Sequence, residues 1–454
     1  MYNDHDTIIA PATAVGGALV LIRLSGADAI ALADRLFHGK KPLTEAAGHT
    51  AHFGTIQEGE RVVDEVLATV FRAPHSYTGE PTVEFSCHGS SYILSEVLHL
   101  ALAAGARMAE PGEFTRRAYL NGQLDLAQAE AVADLIASSS RAAHTLATRQ
   151  MRGGYSSALD HLREELLRLT ALIELELDFS EEDVEFADRG ELRRTMEAIA
   201  QRLTRLCASF SLGNALKEGI PVAIVGAPNV GKSTLLNQLL QEDRAMVSEI
   251  AGTTRDVIEE QLLIDGVRFR LLDTAGIRTT GDRLEQMGID RTHQSIDRAA
   301  IIIRLIDAAQ WLTEGVPAPD FTLRQDQQLV TVINKMDTLS ATDTPPLAQG
   351  LIPLSARDGV GIDQLKERLR SLIATDRLEQ EEVVVSSARH YEALGKAQQA
   401  LQAALRGLDE GLPTDLLSEE IRAVIDALGT ITGRGTILPD EVLGHLFSHF
   451  CIGK

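Results

Sequence analysis

Residues 226–233 read Gly-Ala-Pro-Asn-Val-Gly-Lys-Ser and match the phosphate-loop pattern G-x-x-x-x-G-K-[ST]. Val222–Val225 predicts a short buried strand before them, and Ser233–Leu240 predicts a helix after them, which is the setting that this loop requires. The glycines let backbone N–H groups converge on phosphate oxygens, and the start of a helix favours an anion. We expect Lys232 to reach the β and γ phosphates and Ser233 to bind Mg²⁺. A chance Gly-rich turn is the alternative.

Apolar runs that follow the loop predict the other strands of a doubly wound α/β domain. Ile301–Ile306 and Leu329–Ile333 are continuous apolar segments, as expected for parallel strands buried on both faces. Ile258–Ile264 and Val267–Leu272 flank Asp265-Gly266, which predicts a hairpin with a two-residue turn. Ligands of such folds bind at the carboxyl ends of the strands.

Three short polar motifs stand at these predicted strand ends, in the order expected for a guanine-nucleotide domain. Asp273-Thr274-Ala275-Gly276 offers an acid to the Mg²⁺ shell and a Gly N–H to the γ-phosphate. Asn334-Lys335-Met336-Asp337 offers a carboxylate at Asp337 that accepts from guanine N1–H and the 2-amino group, a donor pair that adenine lacks. Ser355-Ala356-Arg357 suits a loop that closes over the base. Each motif alone is an ordinary polar strand end, but together they predict GTP binding.

The residues that orient water for hydrolysis are not evident from these motifs. A Gln follows the corresponding Gly in Ras-like domains, whereas Ile277 stands here and has no hydrogen-bonding group. We expect a nearby loop to close over the γ-phosphate, with Thr253 or Thr254 adding a hydroxyl ligand to Mg²⁺. Arg255 and Arg278 are candidate charge donors, although surface ion pairing is the simpler interpretation of both. Another residue, a cation or a partner must therefore assist.

The rest of the chain divides into segments whose sequence patterns predict different fold classes. Residues 1–118 mix short β-like runs with Gly and Pro breaks and predict a compact α+β domain. Residues 119–215 and 379–454 carry apolar stripes at spacings of three and four and predict helices. Residues 216–378 form the predicted α/β domain. The simplest arrangement inserts this α/β domain into one discontinuous helical domain.

The charge and the cysteine content of the chain exclude some classes of protein. The chain of 454 residues has 43 Lys and Arg against 65 Asp and Glu, so the net charge of −22 excludes a uniformly basic nucleic-acid coat. Three widely spaced cysteines argue against a disulfide scaffold and suit a reducing compartment. An acidic N-terminus and the lack of a long apolar run predict a soluble, cytoplasmic protein without membrane association.

The motifs above, together with three further segments, make the chain resemble the MnmE (TrmE) family of bacterial tRNA-modification GTPases over its whole length. The resemblance rests on the phosphate loop and on residues 250–256, which read Ile-Ala-Gly-Thr-Thr-Arg-Asp. More specific are residues 124–131, Leu-Asp-Leu-Ala-Gln-Ala-Glu-Ala, and the tail 450–454, Phe-Cys-Ile-Gly-Lys. The family fold implies an N-terminal α+β folate-binding-like domain, a discontinuous helical domain and an inserted Ras-like P-loop GTPase domain.

The resemblance implies a K⁺-stimulated GTPase whose G domains dimerise across the nucleotide. K⁺ would supply the positive charge that an arginine supplies elsewhere, held by Asn229, Ser248, Ile250 and Thr253. Mg²⁺ would be held by Ser233 and Thr254. Glu285 matches the residue that helps to orient the attacking water; a helix-surface carboxylate is its simpler interpretation. The residues expected to contact GTP are Asn229, Val230, Gly231, Lys232, Ser233, Thr234, Ser248, Glu249, Ile250, Ala251, Gly252, Thr253, Asp273, Thr274, Ala275, Gly276, Asn334, Lys335, Asp337, Ser355, Ala356 and Arg357.

The resemblance also implies that residues 1–118 bind a tetrahydrofolate derivative (5-formyl- or 5,10-methylene-tetrahydrofolate) and mediate homodimerisation. Arg23 and Glu80 match folate-contacting positions, and Gln123 stands where the family usually has a basic residue. A Glu can accept two N–H donors of the pterin ring, and an Arg can meet the anionic tail. Lys454 is expected to approach the folate. From the sequence alone, these residues would be surface or salt-bridge residues.

Members of this family work with a flavoprotein, MnmG, in a heterotetramer that acts on tRNA. The resemblance implies that an aminomethyl or carboxymethylaminomethyl group is added at C5 of the wobble uridine, with FAD and NADH belonging to the partner. Cys451 is a candidate nucleophile, although single cysteines are more often small buried apolar residues. The rival function is a regulatory or assembly GTPase without chemistry on RNA, which would need no folate pocket.

Overall fold

A computed structural model describes residues 6–178, 189–243, 260–272, 293–339, 348–373, 383–434, 440–448, 450 and 453. The chain forms two compact units, Met1–Ala133 with Ile425–Lys454 and Asp134–Val424. The sequence boundaries at 118, 215 and 378 stay predictions. Within the described residues, no helix is long and apolar enough to cross a bilayer.

The first unit is built on a seven-stranded sheet of order β3-β4-β5-β6-β2-β1-β7. Neighbouring strands are antiparallel except for the β1–β7 pair, which is parallel. The strands are β1 (Ile8–Pro11), β2 (Leu19–Ser25), β3 (Phe37–Gly39), β4 (Thr50–Glu58), β5 (Arg61–Phe71), β6 (Thr82–His88) and β7 (Arg107–Met108).

Alternating side chains explain which face of this sheet is covered. In β2, Val20, Ile22 and Leu24 are fully buried, while Arg23 between them points to the other face. The buried face packs against helices α1 (Ala29–Leu36) and α2 (Ser91–Ala103). The α+β class predicted for this region is confirmed.

The Leu-Asp-Leu-Ala-Gln segment caps a helix in the same unit. Helices α3 (Glu113–Leu120) and α4 (Leu126–Ala137) are joined by a short loop. Asp125 accepts from the N–H of Gln128 at 2.8 Å, and the Gln128 side chain accepts from the N–H of Asp125 at 2.9 Å. This reciprocal arrangement is a capping box. The last helix, α13, spans Asp440–Ser448, and Phe447 from it packs against the start of α4.

The second unit contains a helical bundle whose members come from both sides of the α/β domain. The stacked rings of Phe210 and Tyr391 lie 4.4 Å apart, and Arg193 pairs with Asp409. The prediction that helices before and after the α/β domain pack together is therefore confirmed. These helices are α5 (Arg141–Met151), α6 (Gly154–Asp178), α7 (Arg189–Glu218), α11 (Ala388–Asp409) and α12 (Thr414–Thr432).

The α/β domain has a six-stranded sheet of order β13-β12-β11-β8-β10-β9, parallel except for the β9–β10 hairpin. Asp265 and Gly266 both have positive φ (49° and 79°), as the predicted two-residue turn requires. Its elements are β8 (Ile220–Gly226), α8 (Lys232–Asp243), β9 (Glu260–Ile264), β10 (Val267–Leu271), β11 (Ile301–Asp307), α9 (Ala308–Glu314), β12 (Gln328–Asn334), β13 (Leu351–Pro353) and α10 (Ile362–Ser371).

Candidate nucleotide site and N-terminal ligand site

The phosphate loop connects the end of β8 to the start of α8, as its sequence predicts. Gly226 and Gly231 have φ values of 153° and 101°, and Asn229 at the exposed tip has 61°. A Cβ on Gly226 would lie 2.6 Å from the backbone oxygen of Leu305, and one on Gly231 would overlap the Asn334 amide. Both positions therefore require glycine for conformation and for space.

Lys232 is the first residue of α8, and its ammonium turns back over the loop. Its Nζ donates to the backbone oxygens of Gly226 at 2.8 Å and Ala227 at 3.0 Å. Burial lowers the pKa of Lys232 from its ordinary value. Ser233 follows in the first turn and is half-buried, while Thr234 is exposed. The cation and the helix start are therefore adjacent, as a phosphate site requires.

Asn334, at the end of β12, ties the phosphate loop to the loop that is expected to hold the base. Its Nδ2 donates to the backbone oxygen of Val230 at 2.8 Å. Its Oδ1 accepts from the backbone N–H of Ala356 at 3.0 Å. The side chain is only 1% exposed, so both bonds are sheltered from water. Asn334 therefore positions two loops rather than the base alone.

Two charged residues follow Asn334 and face different partners. Lys335 has φ 64° and pairs with Asp307 at 2.8 Å. Burial opposes ionisation of Asp307, but bonds from Lys335 and a backbone N–H outweigh it and lower its pKa. Asp337 is exposed, and its Oδ1 accepts from Ser355 Oγ at 2.8 Å. A carboxylate offers about four acceptor sites, so Asp337 keeps capacity for a base. Arg357 nearby is exposed.

The remaining residues predicted for the nucleotide and cation sites lie outside the described residues. The same holds for the candidate water-orienting Glu285 and for Cys451 and Lys454 of the tail. The full set is Ser248, Glu249, Ile250, Ala251, Gly252, Thr253, Thr254, Asp273, Thr274, Ala275, Gly276, Glu285, Cys451 and Lys454.

In the first unit, Arg23 lies on the sheet face opposite α1 and α2. Its Nε donates to Glu84 Oε1 at 2.8 Å, and the side chain is 17% exposed. The guanidinium carbon lies 5.2 Å from the ring centre of Tyr77 and 5.6 Å from that of Phe114. These contacts fix the guanidinium while leaving it access to solvent.

Glu80 and Gln123 lie close to this part of the sheet. Glu80 Oε2 accepts from the hydroxyl of Ser25, two residues beyond Arg23, at 2.8 Å. A Cβ built on Gly79 would lie 3.1 Å from Cγ and Nε2 of Gln123. The fold thus brings the three described folate candidates to one region, around the segment that precedes β6.

The C-terminal tail reaches the same sheet. A Cβ on Gly453 would overlap the backbone oxygen of Pro11 at the end of β1. Ala10, next to Pro11, is in register with Arg23 of β2. Gly453 therefore lies against β1, the strand that neighbours the strand of Arg23.

Sequence reasoning missed a buried ion cluster beneath Glu80. Arg117, only 1% exposed, contacts Glu80 at 3.3 Å, Asp6 at 2.7 Å and Glu113 at 3.0 Å. Arg107 bonds to the same Asp6 and Glu113. The Glu113-Arg117 spacing of four was an available signal, but surface pairs share it.

Comparisons with known proteins agree along the whole chain. Residues 7–123 match the family model described as GTP-binding protein TrmE N-terminus, and residues 126–451 match the MnmE helical domain. A tRNA modification GTPase MnmE from Bacteroides fragilis is 50% identical over 466 residues, which cover 99% of this chain and 100% of that protein. The chain belongs to the MnmE family. The MnmE of Porphyromonas gingivalis is 49% identical over 99% of this chain and 98% of that protein. The MnmE of Cytophaga hutchinsonii is 46% identical over 100% of this chain and 98% of that protein.

A crystal structure of Era from Aquifex aeolicus is 28% identical and covers 39% of this chain and 65% of its own, with a TM-score of 0.25, which is too low to support a structural argument. For this MnmE-family chain, the predicted fold class is confirmed: an N-terminal TrmE domain, a helical domain and a P-loop GTPase domain. Its membership makes it a GTP-binding GTPase, with Mg²⁺ as the ion suited to Ser233.

Proposed function

We propose that this chain is a K⁺-stimulated GTPase that, with an MnmG-type flavoprotein, modifies C5 of the wobble uridine of certain tRNAs. The added group is aminomethyl or carboxymethylaminomethyl, and its carbon comes from a tetrahydrofolate donor. The observation that carries this proposal is that one chain combines the phosphate loop with an N-terminal Arg23-Glu80 region, and that relatives named tRNA modification GTPase match both parts. A GTPase that only assembles complexes would not need the N-terminal region.

GTP would bind at the carboxyl edge of the six-stranded sheet. Backbone N–H groups of the loop and the Lys232 ammonium would hold the phosphates, and Asp337 would accept from guanine. The Ser355 bond to Asp337 supports this role, because it holds the exposed carboxylate in one orientation. Asn334 would hold the phosphate loop and the loop expected to contact the base in fixed relative positions.

K⁺ and Mg²⁺ would complete the site. Asn229 supports the K⁺ proposal, because it is exposed and stands at the tip of the phosphate loop. Ser248, Ile250 and Thr253 are proposed to complete the K⁺ shell, and Ser233 with Thr254 to hold Mg²⁺. When bound, the two cations neutralise charge that develops on the phosphates. Glu285 is proposed to orient the attacking water.

Folate would bind around Arg23, Glu80 and Gln123, with Lys454 from the tail. Glu80 presents a fixed carboxylate for the N–H donors of the pterin, and Arg23 a fixed guanidinium for carboxylates. Gln123 brings an amide instead of a charge, so we propose that it contributes hydrogen bonds only. The end of the tail near β1 supports a role for Lys454 and leaves Cys451 a candidate nucleophile.

The exposed apolar surface around Phe53 and Leu67 on the N-terminal sheet would pack against a second copy of the chain. Phe53 and Leu67 are opposite each other in register and are 65% and 47% exposed, whereas Val66 and Ala68 are buried on the other face. Adjacent exposed apolar side chains favour a protein interface. We propose a homodimer through this domain, a heterotetramer with the flavoprotein, and a cytoplasmic location. A Phe53→Ser, Leu67→Ser double variant should then sediment as a monomer.

Reconstituted tRNA modification tests this function. Purified chain, flavoprotein partner, NADH, GTP, Mg²⁺, K⁺, 5,10-methylene-tetrahydrofolate and an amine that supplies the nitrogen (ammonium or glycine) would be incubated with unmodified tRNA, and its nucleosides analysed by mass spectrometry. We expect a C5-modified uridine that disappears when folate or this chain is omitted. Modified uridine that forms equally well without folate would contradict the one-carbon role, and none under any condition would contradict the tRNA role.

A further inference from the structure

Arg117 is a deeply buried charged residue near the proposed folate region. It lies on α3 and is 1% exposed. Its Nη1 donates to both Glu80 oxygens, at 3.3 and 3.4 Å, and to the backbone oxygen of Asp6 at 2.7 Å. Its Nη2 donates to Asp6 Oδ1 at 2.7 Å and to Glu113 Oε1 at 3.0 Å. One guanidinium therefore joins Glu80 to two other carboxylates.

The carboxylates of Asp6 and Glu113 hold Arg117 in position. Asp6 and Glu113 are also bonded by Arg107, at 2.8 and 2.7 Å. Bonds from Arg107 and Arg117 lower the pKa of Asp6 despite its partial burial. Burial opposes ionisation of Glu113, but Arg107 and a backbone N–H outweigh it and lower its pKa. Arg117 is thus held in a fixed position within a cluster of four charged residues, Asp6, Arg107, Glu113 and Arg117.

Glu80 lies beside this cluster and is partly exposed. Its side chain is 16% exposed, compared with 1% for Arg117 and Glu113 and 24% for Asp6. Arg117 reaches both Glu80 oxygens through one nitrogen, and Ser25 bonds to one oxygen at 2.8 Å. A carboxylate offers about four acceptor sites, so Glu80 retains acceptor capacity for a ligand.

We propose that Arg117 is a positioning residue for folate binding: it keeps the Glu80 carboxylate turned toward the N–H donors of the pterin ring. The inference rests on the proposed folate site. Arg117 itself does not touch the ligand but acts through Glu80. A rotated Glu80 could not accept two N–H groups, so loss of Arg117 weakens binding without removing any group that contacts folate.

Arg117→Met, measured by calorimetric titration of the full-length chain with 5-formyl-tetrahydrofolate, tests this role. We expect the affinity to fall roughly tenfold or more, since a hydrogen bond to a charged group contributes about one factor of ten. Arg107→Met is the matched control, because it removes the partner of the same Asp6 and Glu113 without touching Glu80. It should destabilise the domain less, because Arg107 is 39% exposed and Arg117 only 1%, and it should leave the affinity within about threefold.

Arg117→Lys covers the case in which Arg117→Met fails to fold. Lysine keeps the charge but not the fork of donors, so we expect Arg117→Lys to restore part of the affinity that Arg117→Met loses. An unchanged affinity in folded Arg117→Met or Arg117→Lys, or an equal loss in Arg107→Met, would overturn the inference. Failure of the parent chain itself to bind folate would instead overturn the proposed function.

Discussion

Replacing Asn334 by Ala tests whether this residue links the two halves of the nucleotide site. The change removes the bonds to the Val230 oxygen and the Ala356 N–H, at 2.8 and 3.0 Å, and leaves both backbone groups unpaired. Val230, Asn334 and Ala356 are at most 3% exposed, so water replaces these bonds poorly. A net hydrogen bond contributes about 1 kcal/mol and an unpaired buried group costs about 1–3 kcal/mol, so the unfolding free energy should fall by about 2–4 kcal/mol.

The affinity for nucleotide should fall as well, because both bonds hold loops that would contact it. A loss of about 2 kcal/mol corresponds to roughly 30-fold weaker binding of fluorescent GDP in a titration. Gln327→Ala is the matched control at the other end of β12. Its buried amide donates to the oxygens of Ile296 and Ala299, at 2.6 and 2.9 Å, away from the site.

Gln327→Ala should lower the unfolding free energy by a similar amount, because it also leaves buried backbone groups unpaired. Its affinity for GDP should stay within about twofold of the parent. The reasoning is refuted if Asn334→Ala binds GDP within about threefold of the parent, or if Gln327→Ala loses as much affinity.

Three further substitutions have expected outcomes. Asp337→Asn removes the proposed acceptor for guanine, so GTP affinity in the same titration should fall about 100-fold, while xanthosine triphosphate should bind better than to the parent. The pKa of Asp6 is lowered, chiefly by the bond from Arg107, so its stabilisation is present above about pH 4 and lost as pH falls through the lowered pKa. Urea unfolding of Asp6→Asn should then differ from the parent near neutral pH but converge with it in acid. Gly213→Ala places a Cβ on a facing backbone oxygen and should lower unfolding free energy by about 2 kcal/mol, whereas Gly395→Ala, with nothing within 4 Å, should not.

Local sequence pattern was sufficient for most elements of the α/β domain. The strand predicted at Val222–Val225 is β8, and the helix predicted at Ser233–Leu240 is α8. The turn at Asp265-Gly266 follows from residues that tolerate positive φ. The sequence pattern predicts a last helix from about Pro439-Asp440 to Phe450, whereas the helix in the structure spans Asp440–Ser448. Periodicity identifies which residues pack, and does not fix where a helix stops.

The pairings that build each site could not be predicted in this way. Asn334 was expected to contact GTP. Its bonds to the two loops involve residues more than twenty and more than a hundred positions away along the chain. Arg117 was missed because a charged residue in a polar helix predicts a surface position until the fold buries it. Such contacts join distant parts of the chain, which local patterns do not encode.

GTP hydrolysis in KCl and in NaCl at equal ionic strength tests the central claim most directly. We expect K⁺ to stimulate hydrolysis by about tenfold or more, and Asn229→Ala to abolish the difference, because a loop-tip amide would hold the cation that neutralises developing charge. Asn237→Ala, on the exposed side of α8, is the matched control and should retain stimulation. Equal, slow rates of the parent in both salts would contradict cation-assisted catalysis.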